Sequence, residues 1–326
     1  MNRHERIQAA LRGEEVDRTP LSLWRHYFRE DQTSSGLAEV TVALARQYDL
    51  DLVKLTPSGL YAVEDWAAGC IARPGTDHDA PYLHTPAISD PASWPHLQAL
   101  DPEMGALGRE LEAIRQVASG LGGETPFLMT LFSPLTLAYK LAGESVIEHL
   151  RRTPAELHVG LEVIAETTAR FGQAALAAGA DGIFFAAQLA NRVWLTPNEY
   201  QEFGERYDRV VLEGMAGQSA ITVLHLHGRE ILFDLANLYP VHAVSWHDRQ
   251  TPPNLLGARR QTDRAFLTGL DRELLVRGPE TAIRGHVDEI LAQTRGRGLI
   301  LAPCCVIPTT LPASHLQAVR DAIPVR

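Results

Sequence analysis

Eight short runs of apolar and β-branched residues recur along the whole chain, with a stretch suited to at least one helix between most successive pairs. They lie at 19–26 (TPLSLWRH), 50–55 (LDLVKL), 126–132 (PFLMTLF), 180–187 (ADGIFFAA), 220–226 (AITVLHL), 241–247 (VHAVSWH), 264–269 (RAFLTG) and 298–303 (GLILAP). Most are too apolar to alternate cleanly, which is the pattern of strands covered on both faces. Helix starts fall between them: Thr153-Pro154, Thr196-Pro197 and Gly278-Pro279-Glu280, with proline placed where a helix tolerates it. Alternating strands and helices of this kind imply a parallel sheet, and eight of them imply an α/β chain closed as a single (β/α)8 TIM barrel over residues 1–326. A doubly wound open sheet is the alternative, weakened because no G-x-G-x-x-G follows the first run. The stretch 56–125 is longer than one helix needs and reads as an elaborated excursion near the barrel mouth.

A barrel of this type carries its chemistry at the C-terminal ends of its strands. Those ends present Trp24, Arg25 and His26, then Lys54, Ser133, Gln188, the pair His225 and His227, His247-Asp248, Asp271, and Cys304-Cys305. Residues two apart on a strand share a face, so His225 and His227 can aim two imidazoles at one point. Nitrogen and sulfur donors at a common rim favour zinc. Cys304 and Cys305 are adjacent, so on a regular strand only one of them can face that point.

The remaining features bound the functional class. Three cysteines, two of them adjacent, cannot form a disulfide framework, so a reducing cytoplasm is expected. A net charge of -10 argues against nucleic acid as a partner, and no apolar stretch suggests a membrane span. The tryptophans near strand ends, Trp24, Trp66, Trp194 and Trp246, suit core packing as well as ligand stacking.

The ordered set of local motifs resembles the uroporphyrinogen decarboxylase superfamily. It comprises Gly13-Glu-Glu-Val-Asp17-Arg18-Thr-Pro20, Ser133-Pro134-Leu-Thr136-Leu137, Gly179-Ala180-Asp181-Gly182, Leu224-His225-x-His227-Gly228, Leu301-Ala302-Pro303-x-Cys305 and Thr310-x-Pro312. The resemblance implies a (β/α)8 barrel and one of two chemistries. Arg25 and Arg29 match the decarboxylase Arg-x-x-x-Arg spacing and suit a polycarboxylate, because a guanidinium grips carboxylates with paired hydrogen bonds. The decarboxylase aspartate segment is replaced by Leu55-Thr-Pro-Ser-Gly-Leu, its tyrosine has only the offset counterpart Tyr139, and its last Gly-His-Gly is replaced by Cys304-Cys305-Val306.

The superfamily's zinc methyltransferases, which pass methyl groups between corrinoid proteins and thiols, are similar in the second half of the chain. Their His-x-Cys and Gly-Cys pairs match His225 and Cys305, with His227 standing in place of a cysteine and Cys304 in place of glycine. The resemblance implies Zn2+ held by His225, His227 and Cys305, with Asp248 as a fourth ligand and His247 as its rival. Together with the strand-end positions of Lys54, His26 and Gln188, it leads to expected catalytic roles for Arg25, Lys54 and Asp248, and expected substrate contacts from Arg25, Arg29, His26, Tyr139 and Gln188. The expected partners are a small-molecule substrate, a corrinoid protein and a second copy in a homodimer. A corrinoid- or tetrapyrrole-binding barrel without catalysis is the third reading.

Overall fold

The computed structural model describes residues 1–325. Nine strands form in chain order: β1 Val53–Leu55, β2 Ile71–Ala72, β3 Tyr82–Leu83, β4 Phe127–Phe132, β5 Gly182–Ala187, β6 Ile221–Leu226, β7 Ala243–Trp246, β8 Ala265–Leu270 and β9 Leu299–Pro303. Seven of them make one parallel sheet in the order β1-β4-β5-β6-β7-β8-β9, and β2 pairs with β3 as a separate antiparallel hairpin. Every residue of β4, β5 and β6 is buried, which is why these segments read as unbroken apolar runs.

The expected eighth strand at 19–26 is not a regular strand. It touches β9 through isolated parallel bridges, Leu21 to Leu301 and Arg25 to Ile307. Its other edge meets the chain entering β1, where the Asp51 and Leu52 amides donate to the Leu21 carbonyl at 2.9 and 3.4 Å. Pro20 has no N–H to continue a ladder, and its carbonyl instead accepts from Leu301. The fold is therefore a curled seven-stranded parallel sheet whose two edges are both bonded to one irregular segment.

Asp51 fixes that segment. Fully buried, it takes Arg6 Nη1 at 2.7 Å on Oδ1, and Arg18 Nη1 at 2.6 Å and the Leu21 N–H at 3.0 Å on Oδ2. The first helix, the 18–21 segment and β1 are thereby joined at the N-terminal end of the sheet. Arg6 also forks onto Asp17. A wide cleft opens here, but its arginines are already committed to Asp17, Asp49 and Asp51.

The expected helix starts hold. Thr196 caps Pro197–Tyr200 in a capping box with Glu199, and the helix continues through a π turn at Gln201–Glu205 into Arg206–Gly214. The helices Pro154–Ala177 and Glu280–Thr294 begin at the other two signals. The long excursion between β1 and β4 contains the β2–β3 hairpin, two short 3-10 segments and the helix Gly105–Leu121. Its hairpin tip reaches over neighbouring loops, where Asp77 pairs with Arg29 at 2.8 Å and His78 Nδ1 lies 2.8 Å from Thr309 Oγ1. Among the described residues no helix is long and apolar enough to cross a membrane.

Candidate metal centre and substrate cavity

Parallel pairing places His225 of β6 beside Ser245 of β7, and β7 ends one residue before His247. From the far side of the sheet, β9 delivers Cys305 two residues after its last strand residue. The donor atoms of His225, His247 and Cys305 all lie within 4.8 Å of one another. His225 Nδ1 is 3.1 Å from the buried Ser245 hydroxyl, which fixes the ring and leaves Nε2 as the free nitrogen. His247 Nε2 is buried and makes no hydrogen bond. A buried ring nitrogen without a partner is costly, so this orphan is an observation that fits a metal donor.

The electrostatics keep these imidazoles in the metal-competent form. Burial holds His225 far below the ordinary histidine range, helped by the neighbouring His227, His247 and Lys54. Burial likewise lowers His247 to about 4, with His227 and Arg272 acting in the same direction. Neutral imidazoles coordinate, whereas imidazolium does not. Cys304 is buried, and burial raises its thiol to about 12, so it stays protonated.

The other expected ligands stand differently. His227 lies just past the end of β6, its ring 6.0 Å from that of His225 and 4.8 Å from that of His247, and it is not part of the three-donor group. Asp248 is buried and engaged elsewhere: its Oδ1 accepts from Thr268 Oγ1 at 2.6 Å and from the Gly269 N–H at 3.2 Å, and its Oδ2 pairs with Arg249 at 3.2 Å. Burial raises its pKa. This carboxylate ties the end of β7 to β8.

Beside the donor group lies a cavity of about 210 Å³, lined among others by Trp24, His26, Lys54, Lys140, Phe184, Gln188, His225 and Cys305. Lys54, on β1, is buried with Nζ 4.6 Å from the Phe184 ring centre and 5.6 Å from that of Trp24, and it bonds only Thr56 Oγ1 at 3.2 Å. Lys140 comes from the helix Pro134–Ala142 that follows β4, where Ser133 caps the first turn, and its Nζ sits 4.3 Å from the Phe132 ring centre. Burial lowers Lys54 to about 7, against a raising effect of Cys305, and lowers Lys140 to about 8. Neither ammonium forms an ion pair with any described residue.

Five of the residues expected at the site line this cavity: His26, Lys54, Gln188, His225 and Cys305. Arg29 is exposed and paired with Asp77, away from the cavity. Arg25 stacks on Tyr27 with its guanidinium carbon 4.8 Å from the ring centre, and it is not among the cavity's lining residues. Tyr139 packs edge-on against Trp194 instead of facing the cavity. Lys140 belongs to none of the sequence motifs. Its only signal was a lone cation in the otherwise apolar helix PLTLAYKLA.

A parallel sheet whose strand C-termini gather a His/His/Cys donor group and a small cationic cavity defines a class of α/β proteins built for rim-sited chemistry. The chain belongs to the uroporphyrinogen decarboxylase (URO-D) family, whose model matches residues 2–324. Its relatives are enzymes of two kinds. It is 25% identical to the methylcobamide:CoM methyltransferase MtaA of Methanosarcina barkeri, covering 97% of this chain and 96% of that one. It is 27% identical to the uroporphyrinogen decarboxylase of Photobacterium profundum over 88% of each chain. A methyltransferase structure from Methanosarcina mazei superposes with a TM-score of 0.83 at 21% identity, over 99% of this chain and 98% of that one.

Proposed function

We propose that the protein is a metal-dependent transferase of the methyltransferase kind, acting on a small anionic thiol, with a corrinoid-borne methyl group as the donor. The observation that carries this reading is the convergence of His225, His247 and Cys305, with the His247 Nε2 orphan facing no protein partner. We further read the segment 19–26 as the eighth stave that closes the barrel, since it bonds both sheet edges.

His225, His247 and Cys305 would hold a zinc-like ion, whose chemistry is to lower the pKa of a bound thiol. The protein's own residues do the rest. Lys54 and Lys140 are two desolvated cations without counter-ions, and burial of that kind is favourable only with an anion between them. They replace Arg25 and Arg29 as the groups that receive a carboxylate or sulfonate. Phe132, Phe184 and Trp24 cover the ammonium groups and keep water away. The cavity of about 210 Å³ is smaller than drug-sized pockets, which supports a compact substrate over a tetrapyrrole.

The test is metal analysis of protein produced with ample zinc, followed by calorimetric binding of 3-mercaptopropionate and of propionate. One zinc per chain is expected, with thiol binding that depends on it; a chain that takes up no metal from zinc or cobalt(II) overturns the reading. Propionate reports the anion pocket alone. Its affinity is expected to fall at least about tenfold between pH 7 and pH 9, because Lys54, at about 7, and Lys140, at about 8, both lose their charge in that window and only the protonated forms attract the carboxylate. Lys140→Met should weaken propionate by roughly tenfold to a hundredfold, the worth of one charge-assisted hydrogen bond. Unchanged affinity in that variant would remove Lys140 from the anion site.

A further inference from the structure

His26 lies in the loop after the Leu21–Arg25 stretch and Asp31 in the 3-10 turn Glu30–Gln32 that follows, and their orphaned atoms face each other. Asp31 is fully buried; its Oδ1 accepts from the Gln32 side-chain amide, while its Oδ2 makes no hydrogen bond. That Oδ2 stands 3.9 Å from His26 Nδ1, which is also buried and without a hydrogen bond. The imidazole is held from the side by Phe28, stacked at 5.3 Å between ring centres. The same ring lines the cavity beside Lys54 and Lys140, and its Nε2 bonds no described residue. One nitrogen thus points to a buried carboxylate and the other is left for the cavity.

We propose that His26 is the proton acceptor of the cavity and that Asp31 is its positioning residue. The proposal rests on the thiol reading given above. When the thiol binds, its S–H bond breaks and the sulfur keeps the electron pair. The proton forms a new bond to His26 Nε2, and the Nδ1 proton is shared with Asp31 Oδ2, whose negative charge offsets the imidazolium. The 3.9 Å separation is the loose geometry common in ligand-free catalytic pairs, which tighten once the substrate is bound. The arrangement follows the general logic of a base oriented by a buried carboxylate.

The charges around the pair explain why its imidazole rests uncharged until a ligand arrives. Burial, with Lys54 and Lys140 in support, holds His26 down at about 3. Asp31 is raised to about 6 by burial and by Glu30 and Glu64, against the Gln32 hydrogen bond and Arg109, so it is ionised at neutral pH. Glu110, buried beyond it, is raised to about 7. An anionic substrate neutralises the two lysines that disfavour a charged His26, and so raises its proton affinity at the moment the thiol proton must be received.

Two measurements test this. In zinc-loaded protein, 15N NMR of the histidine side chains, assigned through His26→Gln, should find His26 as the Nδ1–H tautomer, and Asp31→Asn should abolish that preference. Calorimetry of 3-mercaptopropionate in two buffers of different ionisation enthalpy then counts protons released. The unmodified protein should release close to none, because His26 keeps the proton, and His26→Gln close to one per thiolate bound; propionate should release none in either. Equal proton release by both proteins overturns the proposal and passes the role to Lys54 or to water. An Nε2–H tautomer unaffected by Asp31→Asn also overturns it. If zinc is bound but 3-mercaptopropionate is not, the thiol reading fails, and the tautomer alone decides whether the dyad exists.

Discussion

Cys305→Ser and His247→Ala should each lower zinc affinity by at least ~100-fold, whereas Cys304→Ser and His227→Ala should retain bound metal. The expectation follows from the geometry: the donors of His225, His247 and Cys305 approach within 4.8 Å of one another, and neither Cys304 nor His227 joins them. Removing a coordinating group costs more than the tenfold to hundredfold typical of the groups that merely orient ligands. Ser245→Ala belongs to that milder class, because it frees His225 Nδ1 without deleting a donor. Elemental analysis after dialysis gives the affinities. The cobalt(II) form adds a second readout, since thiolate-to-cobalt absorption should vanish in Cys305→Ser and persist in Cys304→Ser. Metal loss from His227→Ala equal to that from His247→Ala would exchange the roles of the two histidines.

Asp51→Ala should destabilise the fold by about 3–5 kcal/mol, the cost of breaking a buried ion pair by removing one partner. The carboxylate is fully buried and holds Arg6, Arg18 and the Leu21 N–H, so its loss removes the buried partner of two guanidinium groups and leaves them only the more exposed Asp17 and Asp49. The effect is more than local. Asp51 attaches the irregular 18–21 segment to β1, and that segment carries the chain on to Trp24 and His26 at the cavity. Urea unfolding measures the loss. Asp49→Ala is the control: Asp49 is partly exposed, its pairs with Arg3, Arg18 and Arg320 are screened by solvent, and about 1 kcal/mol or less is expected. A comparable loss in both variants would place the strength of this end outside the buried pair.

The strand positions were legible because burial on both faces forces an apolar composition that few other structures require. Every run from 50–55 onward overlaps a strand of the parallel sheet. The run at 19–26 carries the same signal without becoming a regular strand, because composition registers burial but not continuous pairing, and Pro20 lacks the amide a ladder needs. His225 and the Cys304-Cys305 pair were legible for a related reason, since each ends or follows an apolar run where a polar donor has little other purpose; the family resemblance then pointed to Cys305.

The choice between His247 and Asp248 was not legible. Adjacent residues at a strand end point in different directions, and which one faces the rim depends on the register of β7 against β6 and on what claims the other. Here Thr268 and Gly269 of β8 claim Asp248. Arg29 shows the opposite case, a spacing that suggested an anion site while the distant hairpin tip supplies Asp77 as its partner.

The sequence by itself determined the α/β class of the fold and the positions of most of its strands, and it marked two residues of the candidate donor group, because periodicity, apolar runs and helix caps are local consequences of backbone geometry and water. Only the tertiary structure decided that His247 completes the donor group, that Lys54 and Lys140 share a cavity, and that Asp31 stands behind His26. Those relations join side chains from separate βα units, and their distances are set by sheet curvature and strand register, which no single segment encodes.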